Sequence, residues 1–137
     1  MDEFDPETEI EALIETYGAG FDDYDGEAIT ACFAYPAVIW QMGKGHVFAD
    51  REEMGENATA LLKAYEEAGI VASAFDIVEM VVTDAAAVAV VSWEAEDGDG
   101  VVVMEFTASY HFVQQAGDWR IAMIVNVDEE DEEDEEG

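Results

Sequence analysis

Few side chains in this sequence could run a reaction near neutral pH, and their spacing decides which are worth following. His111 is the strongest candidate for general acid–base work, because imidazole is the group whose ordinary pKa lies nearest neutrality. It stands in a stretch where Val102, Met104, Phe106, Ala108, Tyr110 and Phe112 alternate with Glu105, Thr107, Ser109 and His111. A strand with that alternation puts His111 on a half-polar face, where a surface or subunit-interface role competes with catalysis. Glu79 and Glu105 interrupt otherwise apolar strands. A carboxyl turned inward there would have its pKa raised by burial and become a catalytic candidate. A period of two places Glu105 outward and leaves Glu79 open. His46 lies beside a glycine turn and reads as exposed. Cys32, the single cysteine, falls at an apolar helix position and reads as a small core residue rather than a nucleophile. Two distant histidines and one thiol make no metal pattern, and no metal or cofactor is expected.

The remaining candidates are aromatic and apolar. Tyr17, Tyr35, Trp40, Met42, Tyr65, Phe106 and Tyr110 either line a ligand pocket or are simply core. Tyrosine is the informative type, since a buried phenol needs a hydrogen-bond partner and a bound ligand can be one. Trp93 and Trp119 read as structural.

The elements that must position these groups can be taken in chain order. Asp5-Pro6-Glu7 opens a helix, with a cap, a proline at the first turn and an acid behind it. Ile10, Leu13, Ile14 and Tyr17 then form one stripe, and Gly18 and Gly20 are expected to end it. Asp25-Gly26-Glu27 starts a short second helix that buries Ile29, Cys32 and Phe33 and is expected to stop at Pro36. A strand from Ala37 to Met42, with Val38, Trp40 and Met42 on one face, turns at Gly43-Lys44-Gly45 into a short return strand, His46 to Phe48. Asp50-Arg51-Glu52-Glu53 resembles a capping box opening a third helix, which carries Met54, Ala58, Leu61, Leu62 and Tyr65 and stops at Gly69. Strands follow over 71–83 and 86–96, then the turn Asp97-Gly98-Asp99-Gly100, then a closing hairpin folded at Gly117-Asp118. Helices segregated from an antiparallel meander imply an α+β fold, with three N-terminal helices on one face of a strongly curved, mainly antiparallel sheet. Residues 1–127 read as one domain and 128–137 as an acidic, solvated tail.

Charge narrows the function classes. There are 35 Asp and Glu against 4 Lys and Arg, a formal net charge of −31 over 137 residues. Only nine of those acids lie in the run Asp128 to Glu136, so the excess covers the whole surface. Nucleic acid and anionic membranes are bound chiefly through Lys and Arg, so neither is an expected partner. Self-repulsion should loosen such a fold at low salt, and molar salt should screen it. Acid excess with scarce lysine points to a salt-rich cytoplasm; an acidic module for a basic partner is the rival. No apolar run is long enough to span a bilayer, the acidic start is unlike a signal peptide, and a cytoplasmic location is expected.

The element order, together with Asp25-Gly26 and Phe33-Ala34 around helix two, the capped third helix and the Gly-Asp-Trp-Arg-Ile run at 117–121, resembles the nuclear transport factor 2-like superfamily. The resemblance covers roughly residues 7–127. It implies a sheet wrapped around a conical pocket and a homodimer through the convex sheet face. Its members include isomerases, cyclases, dehydratases and binding domains, so membership alone fixes no activity. Carried over from the steroid isomerases, the general-base position falls near Gln41, which cannot act as a base. Their oxyanion tyrosine falls near Glu15, two residues from Tyr17, and the second acid's place offers Ala108 and Tyr110. The resemblance therefore implies a small apolar-ligand binder. The alternatives are an enzyme of the isomerase, cyclase or dehydratase type using Glu15, Glu79 or His111, and a protein-interaction module using the outer sheet.

Overall fold

The first helix runs through both glycines expected to end it. In the computed structural model, which describes residues 5–41 and 43–127, α1 spans Pro6–Asp22 and buries Ile10, Ile14, Tyr17 and Phe21 on one stripe. Gly18 and Gly20 are contact points, not stops. A Cβ on Gly18 would sit 3.0 Å from the Trp93 ring, and one on Gly20 would sit 2.9 Å from the Ile29 side chain. Glycine here lets the helix backbone approach its neighbours closely. Gly18→Ala should therefore destabilise. The usual helix-propensity gain of about 1 kcal/mol is outweighed by an overpacking cost of about 1–3 kcal/mol. Gly55 is the control, a helical glycine whose added Cβ would meet only a Thr30 methyl at 4.0 Å. Thermal unfolding should show Gly18→Ala lowering Tm and Gly55→Ala raising it. Equal shifts would remove the close-approach account.

The second helix, α2, spans Gly26–Thr30, with the Asp25 side chain accepting from the Ala28 amide at 3.2 Å. It stops at Thr30, well before Pro36. Its C-terminal carbonyls are taken by side chains: the Tyr35 hydroxyl donates to the Thr30 carbonyl (2.8 Å) and Arg51 Nη2 to the Glu27 carbonyl (3.3 Å). Pro36 lies inside β1, Phe33–Gln41, which starts four residues earlier than expected. The Tyr35–Pro36 peptide is cis. The proline falls where the register with the neighbouring strand slips, between Phe33 and Val38, so its missing N–H removes no regular ladder bond. Met42 and the acidic stretch 128–137 lie outside the described residues.

A hairpin joins β1 to β2, Lys44–Phe48, and α3, Arg51–Ala68, follows. The Asp50 carboxylate accepts from the Glu53 amide at 3.0 Å, and Glu53 accepts from the Ala49 amide at 2.8 Å. Gly69 ends the helix at φ 77°, a left-handed value that suits glycine. The meander is β3 (Ile70–Val82), β4 (Ala86–Asp97), β5 (Val102–Gln115) and β6 (Asp118–Val127). The curved six-stranded sheet has the order β2-β1-β6-β5-β4-β3, with β1 and β6 parallel and every other pair antiparallel. The α+β expectation holds, with one parallel pair added.

Residues opposite one another on the inner face form rows across β3, β4, β5 and β6. Val82, Ala87, Phe112 and Ile121 make one row; Met80, Ala89, Tyr110 and Ile124 the next. Small Ala87 and Ala89 let α1 settle close, and Ile10 and Ile14 seal this end at 0% and 1% exposure. Towards the other end the rows read Phe75, Trp93, Phe106 and then Ser73, Ala95, Met104. There the helices diverge from the sheet. Phe106 is half-buried and Met104 exposed.

Candidate functional site

The uncovered end of the inner face is a cavity of about 660 Å³. Tyr17 and Phe21 of α1, Leu61, Ala64 and Tyr65 of α3, and Ile39, Phe48, Trp93, Phe106 and Ile124 of the sheet supply its apolar wall. Such a volume suits a small organic ligand rather than a few waters.

The deepest polar groups are phenols. Tyr17 stands at the centre of an aromatic cluster, edge-on to Phe21 (5.2 Å), Phe33 (5.8 Å), Tyr110 (6.0 Å) and Trp93 (6.4 Å) between ring centroids. Edge-to-face geometry sets positive ring edges against negative faces and holds the rings in place. The Trp93 indole donates to the Tyr110 hydroxyl at 3.0 Å. An indole N–H can only donate, so the Tyr110 oxygen is the acceptor there and its own proton points elsewhere. Burial raises the pKa of Tyr17, Tyr65 and Tyr110, so all three stay neutral donors at ordinary pH. Among the described residues, the Tyr17 hydroxyl meets no hydrogen-bond partner. Tyr17 and Tyr110 line the cavity together with Tyr65 and are disposed to donate into it.

Around the mouth the polar groups are amides and an imidazole: Gln41, Asn57, Asn126 and His46. Ser73 also lines the wall, but its hydroxyl is committed to Asp22 at 2.7 Å. Glu94 borders the cavity through its place between Trp93 and Ala95. It pairs with Glu105 on β5 and is exposed, so its side chain belongs with the outer face.

Of the residues singled out by sequence, Tyr17, Tyr65, Phe106 and Tyr110 meet in this cavity. Tyr35 does not line it; its hydroxyl is spent on the end of α2. Trp40 does not either. Alternation in β1 brings Ile39 and Gln41 inward and sends Trp40 to the outer face, 43% exposed and packed over Gly45. The three catalytic candidates are all elsewhere. Glu15 is exposed on α1, Glu79 is exposed on β3, and His111 is half-buried on the outer face, opposite Val88 and Met123. Cys32 is buried and its thiol is pushed up to about 11 by desolvation, as suits a core residue. Among the described residues no group of three His, Cys, Asp or Glu could hold a metal ion.

Two bulges decide what the cavity contains. Strict alternation from Phe75 and Ile77 would turn Glu79 inward. A register shift between Ile77 and Glu79 instead places Met80 inside and Glu79 outside, opposite Val90. In β6 the inner residues are Trp119, Ile121, Ile124 and Asn126, so a slip between Ile121 and Ile124 delivers Asn126 to the wall. One irregularity removes a carboxylate and the other supplies an amide.

Three helices on one face of a curved six-stranded sheet, with a cavity left between them, define an α+β fold. Residues 7–129 match the family model described as NTF2-like protein (DUF6841), and the chain belongs to that family. No curated protein matches it. Solved structures repeat the fold. An NTF2-like protein of unknown function from Shewanella oneidensis superposes with TM-score 0.72 at 17% identity, covering 90% of this chain and all of that one. A cystatin-like domain of unknown function from Nostoc punctiforme gives 0.70 at 16%, covering 88% and 75%. A ketosteroid isomerase-like protein from Erwinia carotovora gives 0.66 at 21%, covering 88% and 95%. At these identities the likeness concerns fold alone.

Proposed function

We propose that this chain is a binding domain for a small, mainly apolar molecule carrying one hydrogen-bond acceptor, a ketone or ether being the simplest. The observation that carries this is the floor of the cavity. Tyr110 accepts from Trp93 and so has its proton to give, and among the described residues the Tyr17 hydroxyl has no hydrogen-bond partner. A ligand oxygen placed there satisfies groups that the apolar wall cannot. An isomerase-like reading has support from the same donors, which would polarise a carbonyl. No carboxylate base faces that carbonyl: Gln41 stands on β1 and the bulge at Ile77 turns Glu79 away, which leaves the His46 imidazole at the mouth.

The neutral ketone dye prodan tests the proposal, because its emission reports both burial and hydrogen bonding to its carbonyl. It should bind with one site per chain. Tyr110→Phe should weaken it about threefold to tenfold, the equivalent of one neutral hydrogen bond of about 0.5–1.5 kcal/mol, and should shift the bound emission to the blue. Unchanged affinity and emission in both Tyr110→Phe and Tyr17→Phe would sink the acceptor-at-the-floor reading.

Two further features belong to the proposal. The acid excess suits a salt-rich cytoplasm. The outer sheet face, with Val78 62% and Val81 55% exposed, suits a second copy of the chain.

A further inference from the structure

We infer that the cavity selects its ligand by charge, taking uncharged molecules and rejecting carboxylates and other anions of the same shape. This rests on the binding reading above and adds the ligand's class to it.

An anion moved from water into an apolar cavity loses its hydration and needs a cation or a dense set of donors in return. The wall offers no permanent cation: the chain has four Lys and Arg in all, every one of them described, and none lines the cavity. Arg51 is tied to Thr30 Oγ1 and the Glu27 carbonyl at the end of α2. Arg120 bonds the Trp119 carbonyl and pairs with Asp118. Lys63 is exposed on α3, between the lining residues Leu61 and Ala64 but not among them. Lys44 is the nearest approach to a counter-example. It shares its strand face with His46 and Phe48, yet it stands further out, opposite Gln41 at the tip of the β1–β2 hairpin. The phenols of Tyr17, Tyr65 and Tyr110, the amides of Gln41, Asn57 and Asn126 and the imidazole of His46 remain, and none of them carries the permanent charge that would offset a carboxylate's lost water.

The charge of the whole molecule acts in the same direction: with 35 Asp and Glu against 4 Lys and Arg, the chain repels an approaching anion. Rejection then has two separable parts. Desolvation inside the cavity does not depend on salt. Repulsion by the charged molecule does, because the screening length falls from about 10 Å at 0.1 M to about 3 Å at 1 M.

The test compares prodan with the counterpart in which its ketone is replaced by a carboxylate, titrated against the full chain in KCl from 0.2 to about 2 M, with near-UV circular dichroism confirming the fold at each salt. The ketone should bind at least tenfold more tightly than the carboxylate in the highest salt, and the ratio should grow as salt is lowered. Leu61→Lys, which puts a cation at an exposed lining position, should raise carboxylate affinity about tenfold. Equal affinities for the two dyes across the salt range, or tighter binding of the carboxylate, would overturn charge selection and leave the binding domain standing. Failure of both dyes to bind the folded chain would overturn the binding reading and charge selection with it.

Discussion

Replacing Trp93 with alanine is expected to remove about 3–5 kcal/mol of stability, the usual range for deleting a buried indole. Trp93 is 4% exposed and holds four things at once. Its ring bridges Phe75 and Phe106 across three strands, at 5.3 Å and 6.3 Å. Its edge receives the backbone of α1 at Gly18. Tyr17 meets it edge-on, and its N–H orients Tyr110. Alanine would enlarge the cavity, leave α1 resting on nothing at Gly18, and strip the Tyr110 oxygen of its donor. Trp93→Phe separates these effects. It keeps most of the ring packing and loses the hydrogen bond, so it should cost about 1–2 kcal/mol. Denaturant unfolding in molar KCl, where charge repulsion is screened, gives both values. A loss below 1 kcal/mol for Trp93→Ala would mean that this end of the sheet is not held by its aromatic row.

Ala95→Phe should abolish prodan binding, by a hundredfold or more, without lowering the midpoint of unfolding. Ala95 is 1% exposed and lies on the inner face between Ser73 and Met104, on the wall of the 660 Å³ cavity. In a filled core the extra ring would cost about 1–3 kcal/mol through overpacking. Here it has space to enter and new apolar contacts to make. Stability and binding should therefore separate, and that separation distinguishes a ligand cavity from a scaffold whose interior matters only for packing. A destabilised variant that still binds the dye would refute the placement of the site.

Much of this architecture is legible in the sequence because the informative signals are local. Asp25 and Asp50 cap helices where their spacing says they should, Gly69 stops α3, and the alternation through Phe106, Ala108, Tyr110 and Phe112 identifies the inner face of β5. What misleads is anything whose meaning depends on a distant partner. Gly18 looks like a helix stop until Trp93, 75 positions later, is seen lying against it. Pro36 looks like a helix terminator, but the hydroxyl of Tyr35 and the guanidinium of Arg51 have already closed α2 at its own end. Glu79 and Asn126 exchange faces through register slips that periodicity does not record. Trp93 reads as structural and is also the group that points Tyr110 toward the cavity. The cavity's composition is therefore set by irregularities, while the fold that contains it is set by regular patterns.

The strand order also constrains how the chain comes into being. Among the described residues, strand β6 comes last in chain order and alone joins the β1–β2 hairpin to the β3–β5 meander. Until Trp119 to Val127 have left the ribosome, the sheet exists as two unjoined pieces, and Ile39 and Phe48 have no wall opposite them. Synthesis thus passes through a stage at which five of the six strands are present, yet the apolar interior is open to water. The β1–β6 pairing spans about ninety residues, and such non-local closure slows folding. Dense negative charge along the nascent chain keeps neighbouring copies apart during that interval, so the acid excess guards the polypeptide against aggregation until β6 joins the sheet.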